Sequence, residues 1–204
     1  MAKQDPLSSA LATVDHVLRQ RFPDDFDKRC MYAAFGLRAL LRRTGIGSEI
    51  VGGRYTCFVV SADLQHASHQ GFGTGSNDQA SHYWVEAQGY LLDPGPHYLP
   101  LRSSFPAAPI PMVRWPLASP IPHFMRYQEQ ARYHQEAKLR SSQEIQDRMN
   151  QFLAACEEAR TDVATPCWQL KGMESLRYAA GNRDRWALGA LRFIAEYPPS
   201  SLPF

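Results

Sequence analysis

The sequence predicts an α+β fold, with helices at the N-terminus, an antiparallel sheet after them and a helical C-terminal part. Three observations carry that expectation. Apolar residues recur at helical spacing between Asp27 and Arg43, with arginines on the opposite face. Ser81 to Gly95 reads as strand, tight turn and strand: His82, Trp84 and Glu86 alternate with Tyr83, Val85 and Ala87, and Gln88-Gly89 then leads into Tyr90-Leu91-Leu92. Beyond Phe124 helical spacing returns, and Ile145, Met149, Phe152, Leu153 and Cys156 share one face.

Pro6 to Phe22 forms the first helix, with Leu11, Val14, Val17 and Leu18 turned inward and Arg19 and Arg21 near its end; its role is to cover the core. Asp27 is the expected N-cap of the second helix, and Thr44-Gly45 its stop. Ser48 to Ser61 is rich in strand formers such as Ile50, Val51, Tyr55 and Phe58, and Gly52-Gly53 marks a bulge or a close backbone approach. Asp63 to Gln79 reads as a long Gly-rich loop that enters directly on His82, as a lid or substrate-binding loop would. Nine prolines from Pro94 to Pro122 leave few N–H groups for a sheet interior, so an extended connection is expected there, with at most an edge strand at Met112 to Trp115. A long helix follows from Phe124 to Ala159, then a short one from Thr165 to Tyr178. A final amphipathic helix runs from Asn182 to Tyr197 and is stopped by Pro198-Pro199. Residues 1–122 are expected to form the core and 123–204 a helical part packed on it, within one structural domain.

Bulk properties narrow the function classes. At 204 residues the chain can bury a sizeable core, and a net charge of +2 offers no electrostatic case for nucleic acid. No apolar run approaches membrane-spanning length, and the polar start Met1-Ala2-Lys3-Gln4-Asp5 lacks the apolar region of a signal peptide. Cys30, Cys57, Cys156 and Cys167 are irregularly spaced, so a reduced, cytoplasmic setting is expected. His66, His69 and His82, with Cys57, could be weighed as zinc ligands, but their spacing matches no established zinc pattern. Gly71 to Ser76 is followed by no lysine and no helix, which argues against a phosphate loop. Neither a metal nor a cofactor is expected. The polar stretch Tyr127 to Lys138 is a candidate homodimer surface.

The chemistry concentrates in three residues. The turn at Gln88-Gly89 folds the second strand back along the first, so His82 and Asp93 come close as a cross-strand pair. A carboxylate beside an imidazole fixes its tautomer and stabilises its protonated form. Cys30 falls in the first turn of the second helix, where free N–H groups and the positive dipole end, with Lys28 and Arg29 beside it, favour a thiolate. Taken singly, each has a blander reading: a packing cysteine, a structural histidine, an Asp-Pro-Gly turn. The three in the order Cys, His, Asp make a thiol active site the sharper reading.

Cys30 with Leu40-Leu41, Gly45 to Gly53, His82-Tyr83-Trp84-Val85-Glu86 and Leu92-Asp93-Pro94 together resemble the transglutaminase-like core of the papain-like cysteine hydrolases and acyltransferases. The resemblance spans Cys30 to Gly95, about a third of the chain. It implies a papain-like/transglutaminase-like core in which Cys30 is the nucleophile, His82 the general base and acid, and Asp93 its orienting partner. It further implies a peptide, protein or small amide or acyl substrate, and no cofactor. One element departs from the pattern: where the papain branch has a glutamine that donates to the oxyanion, this chain reads Phe22-Pro23-Asp24-Asp25-Phe26, and an ionised aspartate cannot donate. The backbone N–H of Cys30, with Gln20 or Gln79, is the alternative donor set; Trp84 and Tyr83 are candidate pocket walls. A relict site is the other outcome, in which the same cleft binds a peptide or protein partner without turning it over.

Overall fold

The structure, a computed structural model, describes residues 5–72, 80–134, 142–159, 164 and 168–198. Helix α1 (Pro6–Arg21) starts with proline at its first position, where the missing N–H costs nothing. A 3-10 turn (Phe26–Lys28) then leads into α2 (Cys30–Arg43). Arg29, not Asp27, is the residue before α2; Asp27 lies within the 3-10 turn and pairs instead with Arg102. Gly45 ends α2 with a φ of 77°, the left-handed conformation glycine adopts without strain.

The sheet is built on β1 (Ser48–Val60). One edge of β1 pairs antiparallel with β6 (Met125–Tyr133), while β3 (His82–Ala87) pairs residues 48–53 and β2 (Ala67–Phe72) pairs residues 55–60. The sheet then continues through β4 (Tyr90–Asp93) and β5 (Met112–Pro116) to a short parallel strand, β7 (Gln169–Leu170). A 3-10 segment (Gly95–Arg102) joins β4 to β5. Helices α3 (Gln143–Ala159), α4 (Met173–Gly181) and α5 (Arg185–Glu196) complete the described chain. Asp184 caps α5, its side chain accepting from the Ala187 N–H at 2.8 Å.

Two apolar cores form. Leu11, Val14, Leu37 and Leu41 of α1 and α2 pack with Phe152 of α3 on Ile50, Val85 and Leu92. Trp186 and Phe193 of α5 pack with Phe58, Trp115 and Phe124 in the second core, and Trp186 donates its indole N–H to the Phe58 carbonyl at 2.9 Å. The start of α1 is tied to the far strands: Ser8 bridges Asp5 and Gln169 at 2.6 and 2.8 Å, and Arg114 pairs with Asp5.

Other expectations change too. Thr165 to Tyr178, expected as one helix, holds β7 at Gln169–Leu170 because that segment pairs with β5, and α4 starts only at Met173; residues 165–167 lie outside the described residues. The long loop contains β2, because Ala67–Phe72 satisfies the edge of β1 beyond the end of β3. Met112–Pro116 lies inside the sheet between β4 and β7, since the prolines around it fall mostly outside the paired residues. Phe124 to Ala159 is a strand followed by a helix, so the C-terminal part is not helical throughout and its first strand completes the sheet. The candidate dimer helix is therefore β6 from Tyr127 to Tyr133, while residues 135–138 lie outside the described residues. No helix among the described residues is long and apolar enough to cross a membrane.

Candidate active site

Along β1, pairing passes from β3 to β2 near Gly53, and His82 opens β3 at that seam. Gly53 lies opposite His82 and Tyr55 opposite Phe72, and the pairing with β6 shifts register between Gly52 and Gly53. A β-carbon at Gly53 would collide with the Gln128 carbonyl, so glycine is what lets β6 approach here. The imidazole of His82 is fully buried among aromatic rings: Phe72 stacks on it at 4.8 Å, with Tyr55 at 5.1 Å and Trp84 at 6.2 Å.

The β3–β4 hairpin delivers the partner. Gln88 and Gly89 have φ of 49° and 76°, the pair of left-handed residues that a two-residue turn matched to the strand twist requires. Val85 then faces Leu92, so Asp93 ends β4 level with Trp84 and meets His82, two residues further along β3, as a diagonal neighbour and not as a directly opposed pair. Asp93 Oδ2 lies 2.7 Å from His82 Nε2 and accepts the Tyr127 hydroxyl at 2.8 Å, while Oδ1 accepts the Gly95 N–H at 2.7 Å. Three hydrogen bonds make a carboxylate that is only 1% exposed tenable.

With Nε2 committed to Asp93, His82 keeps Nδ1, which is buried and makes no hydrogen bond among the described residues. Cys30, partly exposed at the first position of α2, acts on this ring. Burial pulls the His82 proton affinity down, but the Asp93 charge and hydrogen bond override it, Cys30 adds to them, and the histidine is pushed up to about 10. The Arg29 carbonyl takes the first intrahelical bond, from Ala33 N–H at 2.9 Å, so the N–H groups of Cys30, Met31 and Tyr32 have no acceptor within α2 and gather at its N-terminus.

The other expected residues separate. Trp84 is 2% exposed and packs edge-on against Tyr127 at 5.1 Å, so it backs the site from the core. Tyr83, partly buried on the thiol's side, has its phenol raised by burial, by Tyr133 and by Cys30. Gln20 is exposed in the last turn of α1, and Gln79 lies outside the described residues. His66 neighbours Phe105 and His69 neighbours Phe58 and Phe193, surroundings distinct from those of His82. An open cavity of about 380 Å³, lined in part by Trp115, Leu117, Met125 and Tyr127, does not include Cys30 or His82; Tyr127 links it to the site.

Sequence reasoning missed Tyr127 and Gly95. Tyr127 was hidden in an apparent helix, though Met125 and Tyr127 two apart already fit one face of a strand. Gly95 reads as a turn residue, and only the folded hairpin shows the histidine ring against it.

No family model matches the chain, and no curated protein does. A solved crystal structure, described only as that of a genomics target, is 13% identical; the alignment covers 82% of this chain and 86% of that one, with a TM-score of 0.45.

Proposed function

We propose that the protein is a thiol-dependent hydrolase or acyltransferase acting on an amide or thioester through Cys30, His82 and Asp93. The observation that carries this reading is a buried imidazole whose Nε2 is held by Asp93 while its Nδ1 is left for a thiol at a helix N-terminus. The likeness of Cys30 to Gly95 to the transglutaminase-like core supports it. Cys30 Sγ adds to the acyl carbon, and the thiol proton resides on His82 Nδ1. The oxyanion that develops is met by the free N–H groups at the start of α2. Collapse breaks the bond to the leaving amine or thiol, which takes the proton from His82. Water or a second amine, deprotonated by His82, then attacks the acyl-enzyme, expels Cys30 Sγ and yields acid or transferred acyl product.

Iodoacetamide alkylation with site mapping by mass spectrometry tests this. Burial pushes the Cys57 and Cys156 thiols up to about 12, so both should stay inert near neutral pH. Cys30 is expected to react first, and His82→Gln or His82→Ala to slow it by at least about tenfold. If Cys30 is no faster than the buried thiols, or ignores His82, the reading fails, and the cleft is better described as a peptide- or protein-binding site.

A further inference from the structure

Asp93 Oδ2 takes two donors at once, His82 Nε2 at 2.7 Å and the Tyr127 hydroxyl at 2.8 Å. Tyr127 comes from β6, on the opposite edge of β1 from β3, so the contact closes the site from outside the hairpin that carries His82 and Asp93. Its ring is fixed before any substrate arrives, 4.7 Å from Tyr55 and 5.1 Å from Trp84. Burial and the Asp93 charge both keep the phenol protonated, so it stays a donor at neutral pH.

We propose that Tyr127 is a positioning residue that moderates the hold of Asp93 on His82, an inference that rests on the active-site reading above. A hydroxyl donating to Oδ2 absorbs part of the carboxylate's charge and fixes its plane. An aspartate alone would bind the imidazolium more tightly, and an imidazolium bound too tightly returns its proton poorly to a leaving group. Tyr127 therefore serves the acid half of the cycle, in which His82 must give up what it took from Cys30. The phenol touches neither Cys30 nor a reacting atom in this scheme. It acts through Asp93.

The test is the His82 titration midpoint, read from imidazole ¹⁵N shifts in histidine-labelled full-length protein. Tyr127→Phe removes the donor and should move the midpoint upward by roughly half a pH unit or more. Site-specific 3-fluorotyrosine at 127, a more acidic phenol and stronger donor, should move it downward, and it keeps the question open to measurement if Tyr127→Phe does not fold. Tyr98→Phe is the control: that buried hydroxyl donates to Asp15 at 2.9 Å and should leave the midpoint in place. An unmoved midpoint in the Tyr127 variants, a shift of the opposite sign, or an equal shift in Tyr98→Phe overturns the proposal. The alkylation experiment reads Cys30 independently, so a wild type with His82-dependent Cys30 and an unmoved midpoint defeats this inference alone.

Discussion

A β-carbon at Gly95 would stand 2.5 Å from His82 Cε1 and 2.9 Å from Asp93 Oδ1. Neither neighbour is a flexible chain end: the ring is stacked against Phe72 and the carboxylate is held by three donors. Gly95→Ala is therefore expected to cost about 1–3 kcal/mol of stability, the usual range for overpacking a filled site, and to slow Cys30 alkylation by displacing the imidazole. Urea denaturation reads the first and the alkylation rate the second; a variant as stable and as reactive as wild type would show that the ring has room. Gly89→Ala is the contrast, because nothing lies within 4 Å there and its cost, about 1 kcal/mol, comes from φ alone. The placement of Cys30 at a helix start and of His82 beside Asp93 could be read from the sequence because helix-start and hairpin signals are local. Gly95 and Tyr127 could not, because their roles are contacts: the same glycine in an open turn would mean nothing.

Strand β6 shows how an element escapes sequence reading. Its residues Met125 to Tyr133 are mostly polar, and Glu129 interrupts the alternation of Met125, Tyr127, Ala131 and Tyr133, so the pattern alone does not separate them from a solvated helix. The strand state comes from β1, whose free edge must be paired along residues 50–57, and from cross-strand charge. Glu49 of β1 lies directly opposite Glu86 of β3, a like-charge pair that destabilises a sheet. Arg132 of β6 spans both, 2.9 Å from Glu49 and 2.6 Å from Glu86, and also pairs with Glu129. Arg132→Ala should therefore lower the melting temperature more at low salt than at high salt, since screening relieves the exposed repulsion. Adding Glu86→Gln should recover part of the loss. If the second change lowers stability further, Arg132 matters for packing and not for the glutamates. The hairpin of β3 and β4, by contrast, was legible in full, because Gln88-Gly89 states its turn type locally.

Across the whole molecule, the two cores on the central sheet bury a histidine and an aspartate in contact, and that burial links the fold to pH. His82 binds its proton up to about 10 in the folded chain, against about 6.5 in an unfolded one. Between those values the folded state holds the extra proton, so the contribution is complete below about 6.5 and is lost as pH rises through about 10. The slope approaches about 1.4 kcal/mol per pH unit within that window, and the total is on the order of a few kcal/mol. Other groups act later in the same direction: Cys57 and Cys156, pushed up to about 12, and Tyr55, Tyr98 and Tyr127, raised by burial, oppose alkaline ionisation only where their unfolded counterparts lose protons. His69, whose proton affinity burial lowers, acts in the opposite sense, but only up to the range in which an unfolded histidine gives up its proton. The interval from about pH 7 to about 8 therefore reads His82. Urea unfolding across it should show wild-type stability falling with pH, while His82→Gln, less stable at the acid end, stays level. A flat wild-type profile, or a slope that survives in His82→Gln, would mean that Asp93 does not hold the proton on His82 in the folded chain, and the ion pair at the base of the proposed chemistry would go with it.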